Sequence, residues 1–140
     1  MTDTTDDGPF PVSALVAVLW SFSKGEQFDD AAEFNRRVSQ YHVDVTGEDT
    51  WDPDEVVPVA RMRVKYFGVE SPGDDEYTDF VLDVEADNGV AFTAGELLRK
   101  LNNAAAPRLV DADHCFFEGL FLTEDVGDDG VPIYEMMQGS

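Results

Sequence analysis

The sequence predicts an α+β domain in which two N-terminal helices are followed by the order β-β-α-β-β. We expect a mainly antiparallel sheet of about four strands with a helix packed on one face. Three observations support this: two neighbouring segments that alternate apolar and charged residues, one strongly capped helix, and a final pair of apolar segments. No repeat or linker divides the chain, so we predict a disordered acidic N-terminus over 1–10 and one domain over 11–140.

The first third of the chain predicts two helices. Residues 11–22 are expected to form a short buried helix, although their alternating pattern leaves a strand as the alternative. A second helix is predicted over about 29–40, with Asp29 or Asp30 as its N-cap. Its apolar stripe consists of Phe34, Val38 and Tyr41.

The middle of the chain predicts a β-hairpin and then a helix. Strands are expected at about 59–69 and 77–86, joined by the turn residues SPGDDE. In FTAGELLRKLNNAAAP, Thr93 and Glu96 match a capping box and Pro107 is expected to stop the helix. The apolar stripe of this helix consists of Leu97, Leu98, Leu101, Ala104 and Ala105. Two more strands are predicted at 114–122 and 131–137.

The acidic composition suggests a habitat. The chain has 30 Asp and Glu against 9 Lys and Arg, a net charge of −21. Because the carboxylates are dispersed and lysine is scarce, we favour a halophilic organism, in which molar salt shortens the Debye length to about 3 Å. The alternative is a DNA mimic or a trap for a basic partner. Such a charge argues against binding nucleic acid or an anionic membrane.

The cysteine content and the hydropathy restrict where in the cell the protein can be located. The single cysteine, Cys115, excludes an internal disulfide. The longest apolar run, VSALVAVLW, is too short to span a bilayer and lacks the basic flank of a signal peptide. We therefore expect a soluble cytoplasmic protein without a cofactor.

Basic residues alternate along the first predicted strand. Pairing the strands of the hairpin around Gly73 sets Arg61 opposite Glu85 and Arg63 opposite Asp83. Lys65 then lies diagonal to Asp79 and Asp83. We interpret these six residues as ion pairs that fix the strand register, since a slip by one residue would bury the charges. An anion site is the alternative.

The last two strands are predicted to be apolar on both faces. One face of the first strand carries Phe117 and Phe121, and the other carries Phe116 and Leu120. One helix covers one face of a sheet, so the second face needs another cover. We expect the N-terminal helices to provide it, with a homodimer as the second choice. The predicted interaction surface consists of Phe116, Phe117, Leu120, Phe121, Ile133, Tyr134 and Met136.

Two groups of residues have side chains that could bind a metal ion. A hairpin centred between residues 126 and 127 would place Glu118 opposite Glu135, and such a pair would bind a cation or share a proton. The segment DADHC adds the ligand-type side chains of Asp111, Asp113 and His114, at a spacing that matches no closed site.

These observations favour a non-catalytic module that binds a protein partner or itself. One alternative is an inhibitor or immunity-type protein that neutralises a basic toxin or nuclease. A second alternative, from a different class, is a small metal-assisted hydrolase that uses Glu118, Glu135 and the residues of DADHC.

Overall fold

A computed structural model describes residues 10–22, 25–70, 76–110, 115–127 and 129–139. Within these residues the helices are α1 (Ala31–Thr46) and α2 (Ala94–Leu109). The strands are β1 (Ser13–Ala14), β2 (Trp20–Ser21), β3 (Val56–Val57), β4 (Arg61–Gly68), β5 (Thr78–Glu85), β6 (Phe92–Thr93), β7 (Phe116–Val126) and β8 (Pro132–Gly139).

One mainly antiparallel sheet organises the fold. Its strand order is β1-β7-β8-β4-β5, and β2 also pairs with β7. The pairs β4–β5 and β7–β8 are antiparallel hairpins, whereas β4 and β8, which join the two hairpins, run parallel. The short strands β3 and β6 form a separate antiparallel pair. The predicted α+β class and the mainly antiparallel sheet are therefore confirmed. The predicted order β-β-α-β-β is wrong, because β3 and β6 add two short strands between α1 and α2, and the main sheet has six strands where about four were expected.

The predicted first helix is wrong. Residues 13–14 and 20–21 are strands that pair with the outer edge of β7, and α1 begins only at Ala31. The intervening turn includes Leu15 in a left-handed conformation, with φ of 57°. The valines of this segment favour extended backbone, and its pairing satisfies edge hydrogen bonds of β7 that would otherwise face solvent.

The second predicted helix exists and is longer than expected. The Asp30 carboxylate accepts a hydrogen bond from the backbone N–H of Ala32 (2.9 Å), as the sequence predicted for an N-cap. Helix α1 continues to Thr46 and ends at Gly47, whose φ of 84° is the left-handed conformation that favours glycine. His42, which lies beyond the predicted end, is buried.

Helix α2 confirms the predicted cap but not the predicted stop. The Thr93 hydroxyl accepts a hydrogen bond from the N–H of Glu96 (3.3 Å), whereas the Glu96 carboxylate binds the N–H of Asp87 (2.6 Å) and not that of Thr93. Pro107 lies inside the helix. Its ring removes the hydrogen bond to the carbonyl of Asn103, and the side-chain amide of Gln27 donates to that carbonyl instead (2.7 Å).

Both helices lie on the same face of the sheet. The α2 side chain Arg108 stacks 4.0 Å from the centroid of the Phe80 ring, and α1 reaches the sheet through Phe34, whose ring centroid lies 5.3 Å from that of Trp20. Beneath the helices, the hydroxyl of Tyr134 donates to the carbonyl of Pro11 (2.6 Å). Burial raises the pKa of Tyr134 to about 12. Within the described residues, the sheet therefore has one face covered by the two helices and one face that neither helix covers.

Candidate interaction surface

The face of the sheet opposite the helices is the candidate functional site, and we call it the open face. Alternation along the strands turns Met62, Val64 and Tyr66 toward the helices and turns their neighbours outward. The open face consists of Arg61, Arg63, Lys65 and Phe67 of β4, Asp79, Val81, Asp83 and Glu85 of β5, Phe116 and Phe121 of β7, and Ile133, Glu135 and Met137 of β8.

The predicted register of the β4–β5 hairpin is confirmed. Arg61 is paired with Glu85, Arg63 with Asp83, and Lys65 with Val81, between Asp79 and Asp83. The ion pair of Arg61 is diagonal to this register, because its partner is Asp83 and not Glu85. The guanidinium of Arg61 binds Asp83 through two nitrogens, at 2.9 and 2.6 Å.

Arg63 extends the ion-pair network to the other hairpin. Its Nη2 lies 2.6 Å from Asp129 in the β7–β8 turn, and its Nε lies 3.7 Å from Asp83. The hydrogen bond from Arg63 holds the pKa of Asp129 down at about 2, and the bond from Arg61 lowers the pKa of Asp83. Arg63 thus links three segments that are distant in sequence.

A β-bulge redistributes the apolar side chains of β7. The register of the β7–β8 pair shifts between Phe117 and Leu120, where Gly119 has φ of 110°. Because of this extra residue, Phe117 and Leu120 both point to the covered face, whereas the sequence predicted opposite faces. Phe116 and Phe121 share the open face.

The predicted interaction surface therefore divides into two groups. Phe117, Leu120, Tyr134 and Met136 are buried in the core and are not available to a partner. Phe116 and Phe121 are exposed, by 39% and 41%, and Ile133 is half-buried. The open face also includes two exposed apolar side chains that the prediction omitted, Met137 at 43% and Val81 at 61%.

One row of residues crosses the whole open face. The pairing of successive strands connects, in order, Ser13 of β1, Phe121 of β7, Glu135 of β8, Lys65 of β4 and Val81 of β5. In the described residues neither Lys65 nor Glu135 forms an ion pair within 4 Å, and both are exposed. Two unpaired charges of opposite sign therefore lie between two apolar side chains.

The predicted metal ligands do not assemble within the described part of the chain. Glu135 is paired with Phe121 and not with Glu118, which lies in the bulge with its carboxylate over Gly139. The predicted facing of the two glutamates is therefore wrong by a shift of three residues. Asp111, Asp113 and His114 lie outside the described residues, and among the residues described no cluster of three potential ligands occurs.

A cleft that sequence reasoning missed lies beside β2. Its volume is about 380 Å³, and its walls include Trp20, Tyr41, Phe116 and the ion pair between Arg37 and Glu26. Burial, and to a lesser extent the neighbouring Cys115 thiol, raises the pKa of Tyr41. The cleft forms because β2 pairs with β7. It was not predicted, because a helix was expected over 11–22.

Cys115 and His42, two side chains of types that often act in catalysis, are both buried. Cys115 is buried, and its nearest described polar contact is the Ser21 hydroxyl at 4.0 Å. His42 uses both ring nitrogens: Nε2 accepts from the N–H of Leu19 (3.1 Å), and Nδ1 lies 2.7 Å from the Thr50 hydroxyl. These two hydrogen bonds connect α1 with the segment around Leu19 and the loop around Thr50, so His42 has a structural role.

Comparison with known proteins yields no relative: no family model, no curated protein and no solved structure matches the chain. In the described residues, neither helix has the length and apolar character needed to cross a bilayer.

Proposed function

We propose that this chain is a non-catalytic protein-interaction module of a salt-loving microbe and that it binds its protein partner through the open face. The observation that supports this best is the exposure of Phe121 and Met137 together on the sheet face opposite the two described helices. Contiguous exposed apolar side chains on a soluble domain are typical of interaction sites.

The charge of the open face supports the same proposal. Across the whole chain carboxylates exceed cations by 30 to 9. On the open face the cations are Arg61, Arg63 and Lys65; they meet four carboxylates on β5 and β8 and a fifth, Asp129, in the adjoining turn. The open face therefore has a smaller excess of carboxylates over cations than the chain as a whole, and such a surface is better suited to close approach by another protein.

This distribution favours the interaction module over the two alternatives. An inhibitor of a basic toxin would present carboxylates to its target, whereas a third of the chain's cations lie on the open face. The hydrolase depends on Glu118 and Glu135, and their side chains are not opposed.

A binding experiment with matched variants tests the proposal. The tagged chain is incubated with an extract of its native cell at molar salt, and the bound proteins, including untagged copies of the chain, are identified. We expect the wild type to retain a partner that the double variant Phe121→Ser/Met137→Ser loses. The control variant Val45→Ser/Val90→Ser removes two apolar side chains that are even more exposed but lie outside the open face, and it should retain the partner.

Two outcomes would contradict the proposal. One is a partner that binds the wild type and the open-face variant equally well. The other is the absence of any bound protein, including a second copy, across the range of salt in which the chain is folded. Circular dichroism on each variant establishes that the fold is intact before binding is compared.

A further inference from the structure

We propose that the partner on the open face is a second copy of this chain, related to the first by a two-fold axis along the seam between β8 and β4. This inference rests on the proposed function and names the partner. Its basis is the order of side chains in the row that crosses the sheet: apolar Phe121, negative Glu135, positive Lys65, apolar Val81.

The row is complementary to itself. A two-fold axis parallel to the strands at the seam exchanges the two sides of the sheet, so a side chain on one side faces its counterpart from the other side. Glu135 of each copy then faces Lys65 of the other, and Phe121 faces Val81. A two-fold interface requires this kind of self-complementary patch, because each contact occurs twice.

The neighbouring rows agree with the same axis. Ile133 and Arg63 are partners across the seam, so the axis places the aliphatic stem of each Arg63 over the Ile133 of the other copy. In the row on the other side of Lys65, Met137 and Phe67 line one shallow depression. The axis brings Met137 of one copy to Phe67 of the other, a favourable contact between sulfur and an aromatic ring.

The two charged residues of the central row form ion pairs in this dimer that they do not form within one molecule. Lys65 and Glu135 make no ion pair with any described residue of their own chain, although their strands are directly paired. In the dimer each would be paired across the interface. Arg61 and Arg63 are already bound to Asp83 and Asp129 and therefore add little repulsion.

The size of the open face is adequate. Four strands about 4.8 Å apart, each about eight residues or longer, give a face of roughly 500 Å² per copy. A dimer would bury roughly 1,000 Å² in total, which is about the smallest area expected of a specific interface. Stacked sheets pack about 10 Å apart with strands within about 30° of each other, which keeps the central row in contact.

Salt is expected to promote the dimer. Each copy carries a net charge of −21, so two copies repel one another in dilute buffer. At about 1 M salt the Debye length of about 3 Å screens this long-range repulsion, whereas apolar contacts are retained. The fraction of dimer should therefore increase from dilute buffer to molar salt.

Charge reversal tests the axis. Sedimentation equilibrium in molar salt should show a wild-type dimer. Lys65→Glu and Glu135→Lys should each weaken homodimerisation by about tenfold or more, because both contacts across the axis become like-charged. The double variant Lys65→Glu/Glu135→Lys should restore the dimer. An equimolar mixture of the two single variants should also dimerise, since every contact between them joins opposite charges.

Control variants match the charge changes away from the interface. Arg36→Glu and Glu48→Lys reverse exposed charges on and after α1 and should leave the dimer unchanged. A dimer that survives both single reversals would overturn the inference, as would single variants that fail to associate when mixed. A wild type that stays monomeric in molar salt would overturn it too. The proposed function is tested separately by the binding experiment with the cell extract. If the wild type there binds a different protein and the variant Phe121→Ser/Met137→Ser does not, the proposed function holds although the dimer does not form.

Discussion

The hydrogen bond between Trp20 and Asn102 should hold the N-terminal segment on helix α2. The indole N–H of Trp20 donates to the Asn102 side-chain oxygen at 3.0 Å, and the amide of Asn102 donates to the carbonyl of Glu26 at 2.8 Å. Both Trp20 and Asn102 are buried. Asn102→Leu should therefore destabilise the fold, although it replaces a polar side chain in the core by an apolar one of similar volume.

The magnitude follows from the groups that lose their partners. In Asn102→Leu, the buried indole N–H and the Glu26 carbonyl each lose a hydrogen bond. An unsatisfied buried group costs about 1–3 kcal/mol. Because Glu26 belongs to an exposed loop, we expect water to replace the partner that its carbonyl loses. The indole N–H is enclosed, so we expect a total loss of about 2–3 kcal/mol in the free energy of unfolding.

A double-mutant cycle isolates the bond. The unfolding free energies of wild type, Asn102→Leu, Trp20→Phe and the double variant are measured by urea denaturation in molar salt. Because the double variant removes donor and acceptor together, it should lose less than the sum of the single losses, by about 1–2 kcal/mol. Additive losses would refute the reasoning, since they would mean that the indole N–H finds another partner.

Three further predictions concern packing, pH and salt. Gly68→Ala should cost about 1–3 kcal/mol in urea denaturation, because its Cβ would lie 2.9 Å from both the Cβ and the carbonyl oxygen of Arg108. Gly139→Ala, which meets only the movable carboxylate of Glu118, should cost less than about 0.5 kcal/mol. The carboxyl of Asp129 should titrate by NMR near pH 2, and Arg63→Gln should raise its pKa toward the ordinary 3.8. Because the folded pKa is the lower one, the stabilisation from this ion pair is present above about pH 4 and is lost as pH falls toward 2. Lowering the salt from molar to about 0.1 M should reduce the melting temperature measured by circular dichroism; an unchanged value would contradict the assignment to a halophile.

The parts of the fold that the sequence predicted correctly are those with local signals. The β4–β5 register followed from the turn residues and the alternating charges, since a slip by one residue would bury Arg61 and Arg63. The N-caps of both helices followed from Asp30 and Thr93. Each of these features is decided by neighbours in sequence or by one short turn.

The failures concern features that distant residues decide. The first segment is extended because β7 offers it an edge about 100 residues later in the chain, and no local pattern shows that edge. Pro107 does not stop α2 because Gln27, from a loop far earlier in the chain, takes over the unpaired carbonyl. Propensity is overridden in both places by a tertiary hydrogen bond.

The error in the final hairpin changed the predicted interaction surface most. Sequence alternation cannot reveal a bulge, and the extra residue at the bulge exchanges the two faces for everything after it. Gly119 was the available signal, because glycine within a strand often marks a bulge. With the bulge included, the apolar residues of β7 separate into a buried pair, Phe117 and Leu120, and an exposed pair, Phe116 and Phe121.

The arrangement of charge connects the acidic composition with the open face. A uniformly acidic surface would keep copies of this chain apart at any separation that salt does not screen. Arg61, Arg63 and Lys65 reduce the excess of carboxylates on the open face, and Asp83 and Asp129 bind the two arginines. The strand register and the reduced local charge therefore depend on the same side chains. Lys65 differs from the two arginines because it forms no ion pair within the described residues. It is therefore the cation for which the proposed dimer provides a carboxylate partner.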